Sequence, residues 1–159
     1  MTIKYEAVLL AGGRAPWLKP LAGTDIRSLA KIKGKYIIEY IMEALKASGR
    51  VNNIYLATDD EALQKIAEAG IKGYIPVACN NMTLAEVGLT AAKAVEQAGA
   101  ANLKLLFVCD DIPLLTPEAV ISFLEQCEES PQAEMFYSII RKETCEKQFP
   151  EGKRTYGPL

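Results

Sequence analysis

The sequence predicts an α/β fold with a largely parallel sheet. Short β-branched or aliphatic runs alternate with longer stretches whose apolar residues recur every three to four positions, which is typical of repeated βαβ units. Glycine, asparagine, aspartate or proline bounds each short run. The chain has 159 residues, of which 50% are hydrophobic, and this is enough to bury one core without a disulfide or metal. We therefore expect one domain over residues 1–159.

Five segments are predicted to be strands, each of them short, as buried strands of a parallel sheet usually are. In chain order they are Ala7 to Leu10, Ile54 to Ala57, Tyr74 to Val77, Leu103 to Cys109 and Met135 to Ile140. A strand order of 3-2-1-4, as in half of a doubly wound sheet, would place the first and fourth strands side by side.

Four helices are predicted around these strands. The first covers about Tyr36 to Ser48 and is followed by Gly49, a residue typical of helix C-termini. Two further helices begin with Thr-x-x-Glu, at Thr58 and Thr83, where the hydroxyl and carboxylate can bond unpaired amides of the first turn. The fourth begins around Pro117, because proline at the first helical position loses no hydrogen bond.

Composition excludes several classes of function. Twenty acidic and eighteen basic residues leave a net charge of −2 without a basic run, which disfavours a nucleic-acid partner. Without histidine, a serine or cysteine nucleophile would lack its usual base. The four cysteines are widely spaced, and the apolar stretch Ala7 to Ala11 is too short for a signal peptide or membrane span. We therefore expect reduced thiols in a cytoplasmic protein.

A glycine pair follows the first predicted strand, in Leu10-Ala11-Gly12-Gly13-Arg14. Glycines here would let the main chain approach a ligand closely and offer amides to phosphate oxygens or to a base. A tight turn without a ligand would use the same residues. The pattern is neither a P-loop nor the GxGxxG dinucleotide fingerprint.

An acidic pair, Asp110 and Asp111, follows the fourth predicted strand. Carboxylate oxygens at a strand end suit a magnesium ion that also holds substrate phosphates. The alternative is a turn cap before Pro113, which applies more to Asp110 than to Asp111. If the first and fourth strands are neighbours, Gly12, Gly13 and Asp111 face one site, an arrangement suited to phosphoryl or nucleotidyl transfer.

Two further groups of residues are open to two interpretations. The basic residues of the loop and the following segment favour an anionic ligand as a set, although each one alone is compatible with ordinary solvated surface. They are Arg14, Lys19, Arg27, Lys31, Lys33 and Lys35. Asn80, Asn81 and Met82, before the third helix, are either a base-contacting loop or ordinary turn residues.

The motifs LLAGG, GKYIIEYIMEAL and CDDIPLLTPEAV resemble the molybdenum-cofactor guanylyltransferase-like (MobA-like) NTP transferases, and the resemblance spans nearly the whole chain. It is closest to a bacterial group of such domains. The resemblance implies a Rossmann-like fold of the glycosyltransferase-A, or nucleotide-diphospho-sugar transferase, type. It also implies Mg²⁺-dependent transfer of a nucleoside monophosphate from an NTP to a phosphorylated acceptor, with release of pyrophosphate.

Carried onto this sequence, the resemblance assigns catalytic roles to Arg27 and Asp111, with Asp111 as the Mg²⁺ ligand. The residues implied in nucleotide binding are Leu10, Ala11, Gly12, Gly13, Arg14 and Arg27. Trp17 stands where the family has an arginine, Arg27 where it has a lysine, and Tyr36 where it has a proline. Arg14 or Lys19 could supply the missing charge from a shifted position.

The family's domains usually continue for further strands, so the resemblance predicts an abbreviated member. Two functions follow as alternatives: a nucleotidyltransferase, or a regulatory nucleotide-binding domain of the same fold that has lost catalysis. A phosphoaccepting receiver domain is disfavoured, because Gly12 and Gly13 stand where it needs acidic residues. The sequence leaves the base, the acceptor and the oligomeric state open.

Overall fold

The computed structural model describes residues 3–100 and 104–152. The chain divides into two compact units, Met1–Ser122 and Phe123–Leu159. In chain order the elements are β1 (Tyr5–Leu10), a 3₁₀ turn (Pro16–Leu18), α1 (Lys19–Ala22), a second 3₁₀ turn (Arg27–Leu29), β2 (Lys31–Ile32), β3 (Lys35–Tyr36), α2 (Ile37–Ala47), β4 (Val51–Thr58), α3 (Asp60–Glu68), β5 (Ile75–Ala78), α4 (Leu84–Gln97), β6 (Leu105–Cys109), α5 (Pro117–Glu128) and α6 (Lys142–Gln148).

The larger unit contains a four-stranded, fully parallel sheet in the order β5-β4-β1-β6. The predicted order of the first four strands is therefore confirmed, and β1 and β6 are neighbours. Each strand is confirmed with shifted ends, except that Leu103, the predicted start of the fourth, lies outside the described residues.

The predicted fifth strand, Met135 to Ile140, is wrong. These residues are exposed and form no regular secondary structure, and no strand among the described residues pairs with them. A β-branched, aromatic composition favours a strand only where a neighbour supplies the ladder of hydrogen bonds, and this segment has none.

A short antiparallel hairpin, formed by β2 and β3, was not predicted from the sequence. Its two central residues, Lys33 and Gly34, have φ values of +51° and +83°, as a two-residue hairpin turn requires. The hairpin ends at Tyr36, so the first long helix begins one residue later than predicted, with the Glu39 carboxylate accepting from the Tyr36 N–H at 3.0 Å. Gly49, with φ +65°, follows the helix as predicted.

Of the other three predicted helix starts, at Thr58, Thr83 and Pro117, two are confirmed. The Thr83–Glu86 capping box is present, and Pro117 begins α5, where the Thr116 hydroxyl accepts from Ala119 N–H at 3.2 Å. The predicted cap at Thr58 is wrong, because β4 extends to that residue. The Asp59 carboxylate caps α3 instead, accepting from Ala62 N–H at 2.8 Å.

The core lies on the central strands of the sheet. Val8 and Tyr55, on one face, share a buried cluster with Ala91 and Val95 of α4. Alternate residues of the same strands, such as Leu9, point to the opposite face and are also fully buried. Both faces of β1 are therefore apolar, as a parallel strand covered on both sides requires. None of the described helices is both long and apolar enough to cross a membrane.

A buried carboxylate fixes the start of β1 against β4. The register shifts here: Tyr5 lies opposite Val51, whereas Ala7 lies opposite Ile54, so β4 carries one extra residue. Glu6 is 3% exposed, and its two carboxylate oxygens accept hydrogen bonds from the side-chain amides of Asn52 and Asn53, both at 3.0 Å. One side chain thus satisfies both amides at the irregularity.

We predict that Glu6→Gln lowers the free energy of unfolding by about 1.5–3 kcal/mol, the range for losing a hydrogen bond to a charged group. The glutamine amide can accept at only one of its two terminal atoms, so one asparagine loses its acceptor. Urea denaturation measures the effect. Glu96→Gln, at an exposed position of α4, is the matched control, with an expected change within about 0.5 kcal/mol. Equal changes in the two variants would contradict this role of Glu6.

Candidate functional site

The carboxyl ends of β1 and β6 bring the glycine pair and the acidic pair to one edge of the sheet. Leu10 lies opposite Cys109, and Asp110 N–H donates to the Leu10 carbonyl at 3.2 Å. On the other side of β1, Ala11 N–H donates to the Ala57 carbonyl at 3.0 Å. The two loops that leave these strands therefore start side by side, as the strand order predicts.

The stretch after the glycines folds back on itself. Arg14 bridges to Ile26 in antiparallel fashion, and Ala15 N–H donates to the Asp25 carbonyl at 2.7 Å. We call residues 14–26 the arm. Because the arm returns to its starting point, Arg27 and Ser28 emerge beside the ends of β1 and β6.

Arg27 lies between the glycine pair and the acidic pair. Its Nη1 donates to Asp111 Oδ2 at 3.2 Å, and its Nη2 lies 3.4 Å from Asp110 Oδ1. A Cβ added at Gly13 would come within 1.8 Å of Arg27 Nη2, whereas one at Gly12 would meet nothing within 4 Å. The glycine at position 13 therefore leaves the space that the guanidinium occupies.

Asp110 and Asp111 have different surroundings. Asp110 is 1% exposed, and its Oδ2 accepts from the Ser28 hydroxyl at 2.7 Å. Burial raises the pKa of Asp110 despite the opposing effects of Ser28 and Arg27. The Asp111 side chain is 48% exposed. Sequence reasoning missed Ser28, because no local pattern links a serine to a carboxylate 82 positions away.

The residues of the predicted nucleotide loop differ in which main-chain N–H and C=O groups are already hydrogen-bonded. The Leu10 carbonyl and the Ala11 N–H hold neighbouring strands, and the Ala11 carbonyl accepts from the Thr58 hydroxyl at 2.9 Å. Within residues 3–100 and 104–152, neither the Gly12 nor the Gly13 N–H donates to a protein acceptor. The glycine amides are therefore the part of the loop that is free for an anion.

Arg14 pairs with carboxylates other than Asp110 and Asp111. Its Nη2 donates to Asp59 Oδ1 at 2.9 Å and to Glu61 Oε2 at 3.0 Å, and its Nη1 lies 3.6 Å from Asp25. Hydrogen bonds from Lys65 and Arg14 lower the pKa of Glu61. Arg14 therefore ties the arm to the start of α3, and its charge is already paired with carboxylates.

Other positions discussed from the sequence have different surroundings. Trp17, in the first 3₁₀ turn, is 67% exposed. Lys19 lines a groove of about 710 Å³ together with Lys31 and Lys65, between the arm and α3. Lys35 pairs with Glu43.

Asn80 has a structural role that agrees with the turn interpretation. Its amide donates to Asp60 Oδ2 at 2.7 Å, and its carbonyl oxygen accepts from Asp60 N–H at 3.0 Å. Asn81 has φ +55°, which asparagine tolerates in turns. The loop after β5 is thereby fixed to the first turn of α3.

Asp111 is the side chain here that suits a divalent cation. Its exposed carboxylate provides hard oxygen ligands, and only Oδ2 is engaged, by Arg27. Among the described residues there is no group of three or more acidic or cysteine side chains that could hold a metal by themselves. These donors fit Mg²⁺, which is usually held by one or two carboxylates, waters and substrate phosphates.

Comparison with known proteins identifies a family and a fold. The family model described as "MobA-like NTP transferase domain" matches residues 7–144. No curated protein sequence shows significant similarity to the chain.

Solved structures share the fold. A CMP:2-keto-3-deoxy-manno-octonic acid synthetase complexed with CTP is 19% identical with a TM-score of 0.60, over 80% of this chain and 48% of its own. A nucleotidyl transferase from Methanothermobacter is 19% identical with a TM-score of 0.61, and the match covers 77% of this chain and 57% of that structure's chain. Rv0371c from Mycobacterium tuberculosis is 14% identical with a TM-score of 0.57, and the match covers 81% of this chain and 63% of that structure's chain. The chain thus spans about half to under two thirds of these structures, and the predicted nucleotide-diphospho-sugar transferase type of fold is confirmed.

We predict that Gly13→Ala displaces the Arg27 guanidinium, because the colliding atoms are the flexible end of a side chain. The lost pair with Asp111 is partly exposed, and such pairs contribute about 0–1 kcal/mol. The lost pair with Asp110 leaves a buried carboxylate without its cation, so its loss lowers the melting temperature further. Crystal structures and thermal denaturation of Gly13→Ala and Gly12→Ala test this. Arg27 should move only in Gly13→Ala; its movement in both variants, or in neither, would contradict the prediction.

Proposed function

The chain belongs to the family of MobA-like NTP transferase domains, and we propose that it transfers a nucleoside monophosphate from an NTP to a phosphorylated small molecule, with release of pyrophosphate, in a Mg²⁺-dependent reaction. One observation carries the proposal: free glycine amides, a guanidinium and an exposed carboxylate converge at the carboxyl edge of a parallel sheet. In open α/β sheets, ligands bind at this edge, where the strand order reverses.

Each of these groups has a task that suits a triphosphate. The N–H groups of Gly12 and Gly13 donate to phosphate oxygens without the steric obstruction of a side chain. Arg27 donates to the same polyphosphate and balances part of its charge. Asp111 holds the cation. Mg²⁺, when bound, neutralises charge on the phosphates, and a CTP-bound relative in fold supports an NTP as the substrate class.

The reaction itself requires mainly positioning. An oxygen of the acceptor forms a bond to the α-phosphorus while the bond between the α-phosphorus and the pyrophosphate oxygen breaks. Such transfers depend on alignment and charge stabilisation rather than on a protein nucleophile. A site without histidine is compatible with this chemistry, because no side chain has to form a covalent intermediate.

A second function, nucleotide binding without catalysis, is favoured by the distribution of positive charge. Trp17 stands where the family has an arginine, and Arg14 is paired with Asp59 and Glu61. Arg27 is then the one arginine of residues 14–27 that contacts the acidic pair. A site with so few cations would bind an NTP and yet stabilise the leaving pyrophosphate poorly.

We predict that one of ATP, GTP, CTP and UTP binds the chain in the presence of Mg²⁺ and that Asp111→Asn weakens this binding by about tenfold or more, which corresponds to about 1.4 kcal/mol. The neutral amide loses the charge that attracts the cation. Calorimetric titration with each NTP, with and without Mg²⁺, measures it. Glu129→Gln, an exposed position of the smaller unit, is the control. A folded wild-type chain that binds none of the four would reject the proposed function.

We also predict that Arg27→Ala weakens NTP binding by about tenfold to a hundredfold, since hydrogen bonds to charged groups contribute about 1.5–3 kcal/mol. Arg14→Ala should weaken it by much less, because its charge is already paired in the free protein. The same titrations compare the two variants. An equal or greater effect of Arg14→Ala would show that Arg14 leaves its carboxylates to bind phosphate.

Pyrophosphate release distinguishes the two functions. Wild-type chain, Mg²⁺ and the bound NTP are incubated with a panel of phosphorylated acceptors and assayed for pyrophosphate. We expect acceptor-dependent release that is lost in Asp111→Asn. Tight NTP binding without release on any acceptor would favour the non-catalytic function.

A further inference from the structure

We propose that Asp110 and Ser28 are positioning residues, which hold the Arg27 guanidinium over Gly13 when Asp111 is engaged by the cation. This inference rests on the proposed function. It assigns different tasks to the two neighbouring carboxylates: Asp111 meets the ligand, and Asp110 anchors the arginine.

The two carboxylates differ in access. Arg27 contacts both of them, through Nη1 at 3.2 Å from Asp111 and Nη2 at 3.4 Å from Asp110. The Asp111 side chain is 48% exposed, so an arriving cation can reach it and replace Arg27 as its partner. Asp110 is 1% exposed and stays out of reach. Arg27 therefore keeps one carboxylate partner after it loses the other.

Asp110 is itself held firmly. Its N–H donates to the Leu10 carbonyl at 3.2 Å, which fixes its main chain to the central strand. Its Oδ2 accepts from Ser28 at 2.7 Å, and Ser28 is fully buried in the same 3₁₀ turn that carries Arg27. The turn thus presents two adjacent side chains to one carboxylate, which fixes the direction in which Arg27 leaves the main chain.

The contact between Asp110 and Arg27 still has unused hydrogen-bonding capacity. Asp110 Oδ1 and Arg27 Nε are both buried, and neither has a hydrogen-bond partner within the described residues. The 3.4 Å contact of Asp110 Oδ1 with Nη2 is an ion pair without hydrogen-bond geometry. Once Asp111 no longer holds Nη1, the guanidinium is free to complete a bond to Asp110, which a buried charge strongly favours.

The planar fork of arginine suits this arrangement. Nη2 lies over Gly13 and 3.4 Å from Asp110 Oδ1, while Nη1 of the same plane reaches Asp111. A lysine ammonium is a single point charge and cannot hold two partners in one fixed plane. The arginine at position 27 and the carboxylate at position 110 therefore form one functional unit.

A double-mutant cycle on binding tests this unit. The ligand is the tightest-binding of ATP, GTP, CTP and UTP with Mg²⁺, titrated into wild type, Asp110→Asn, Arg27→Ala and the double variant. We expect Asp110→Asn to weaken binding about tenfold when Arg27 is present and less than about twofold when it is absent, because the coupling lies between the two residues. Equal weakening in both backgrounds would overturn the proposal, since a purely structural residue acts regardless of Arg27.

Arginine-selective ¹⁵N NMR provides a readout that does not depend on NTP binding. A held guanidinium rotates slowly and gives separate Nη signals. We expect separate Arg27 signals in wild type and in Asp111→Asn, and merged signals in Asp110→Asn; merged signals in Asp111→Asn alone would overturn the proposal. If wild type binds no NTP, the proposed function fails, and the spectra still decide whether Asp110 holds Arg27. Should Asp110→Asn not fold, Ser28→Ala replaces it, with the same direction expected and a smaller change.

Discussion

The parallel pairing of β1 with β4 on one side and β6 on the other is the constraint on which the rest of the molecule depends. β1 is the strand from which the glycine loop leaves, and β6 is the strand after which the acidic pair follows. Their adjacency aligns the loops at one edge. This ladder, and the apolar layers that cover it on both faces, position the groups of the candidate site. These groups include the free amides and the exposed carboxylate.

Charge is arranged around two arginines with separate tasks. Arg14 joins the arm to α3 through Asp59 and Glu61, and this contact shapes the loop. Arg27 meets Asp110 and Asp111 at the sheet edge. Among the described residues, the positive charge beside the acidic pair is therefore concentrated in one guanidinium.

Local patterns predicted the elements that local physics determines. The four strands and the Thr83 cap follow from apolar periodicity, glycine stops and hydroxyl–carboxylate spacing, whereas the strand order was considered by analogy with a doubly wound sheet. The cap of α3 at Asp59, the hairpin before α2 and the unpaired segment Met135 to Ile140 were not predicted, because each depends on where a neighbouring strand ends or whether one is present. The motifs singled out Gly12, Gly13 and Asp111, which the structure brings to one edge of the sheet, whereas Ser28 was not predicted, because its partner is distant in sequence.

The Ser28–Asp110 hydrogen bond joins residues 82 positions apart, across most of the larger unit. Closing a loop of that length is entropically costly, and long-range contacts of this kind form only when the intervening elements are in place. The elements between these two residues are the β2–β3 hairpin, α2, β4, α3, β5, α4 and β6, and together they bring Asp110 back to Ser28. A molecule that binds there therefore stabilises the entire sheet rather than a loop, and its presence during folding would favour chains in which β6 has already docked.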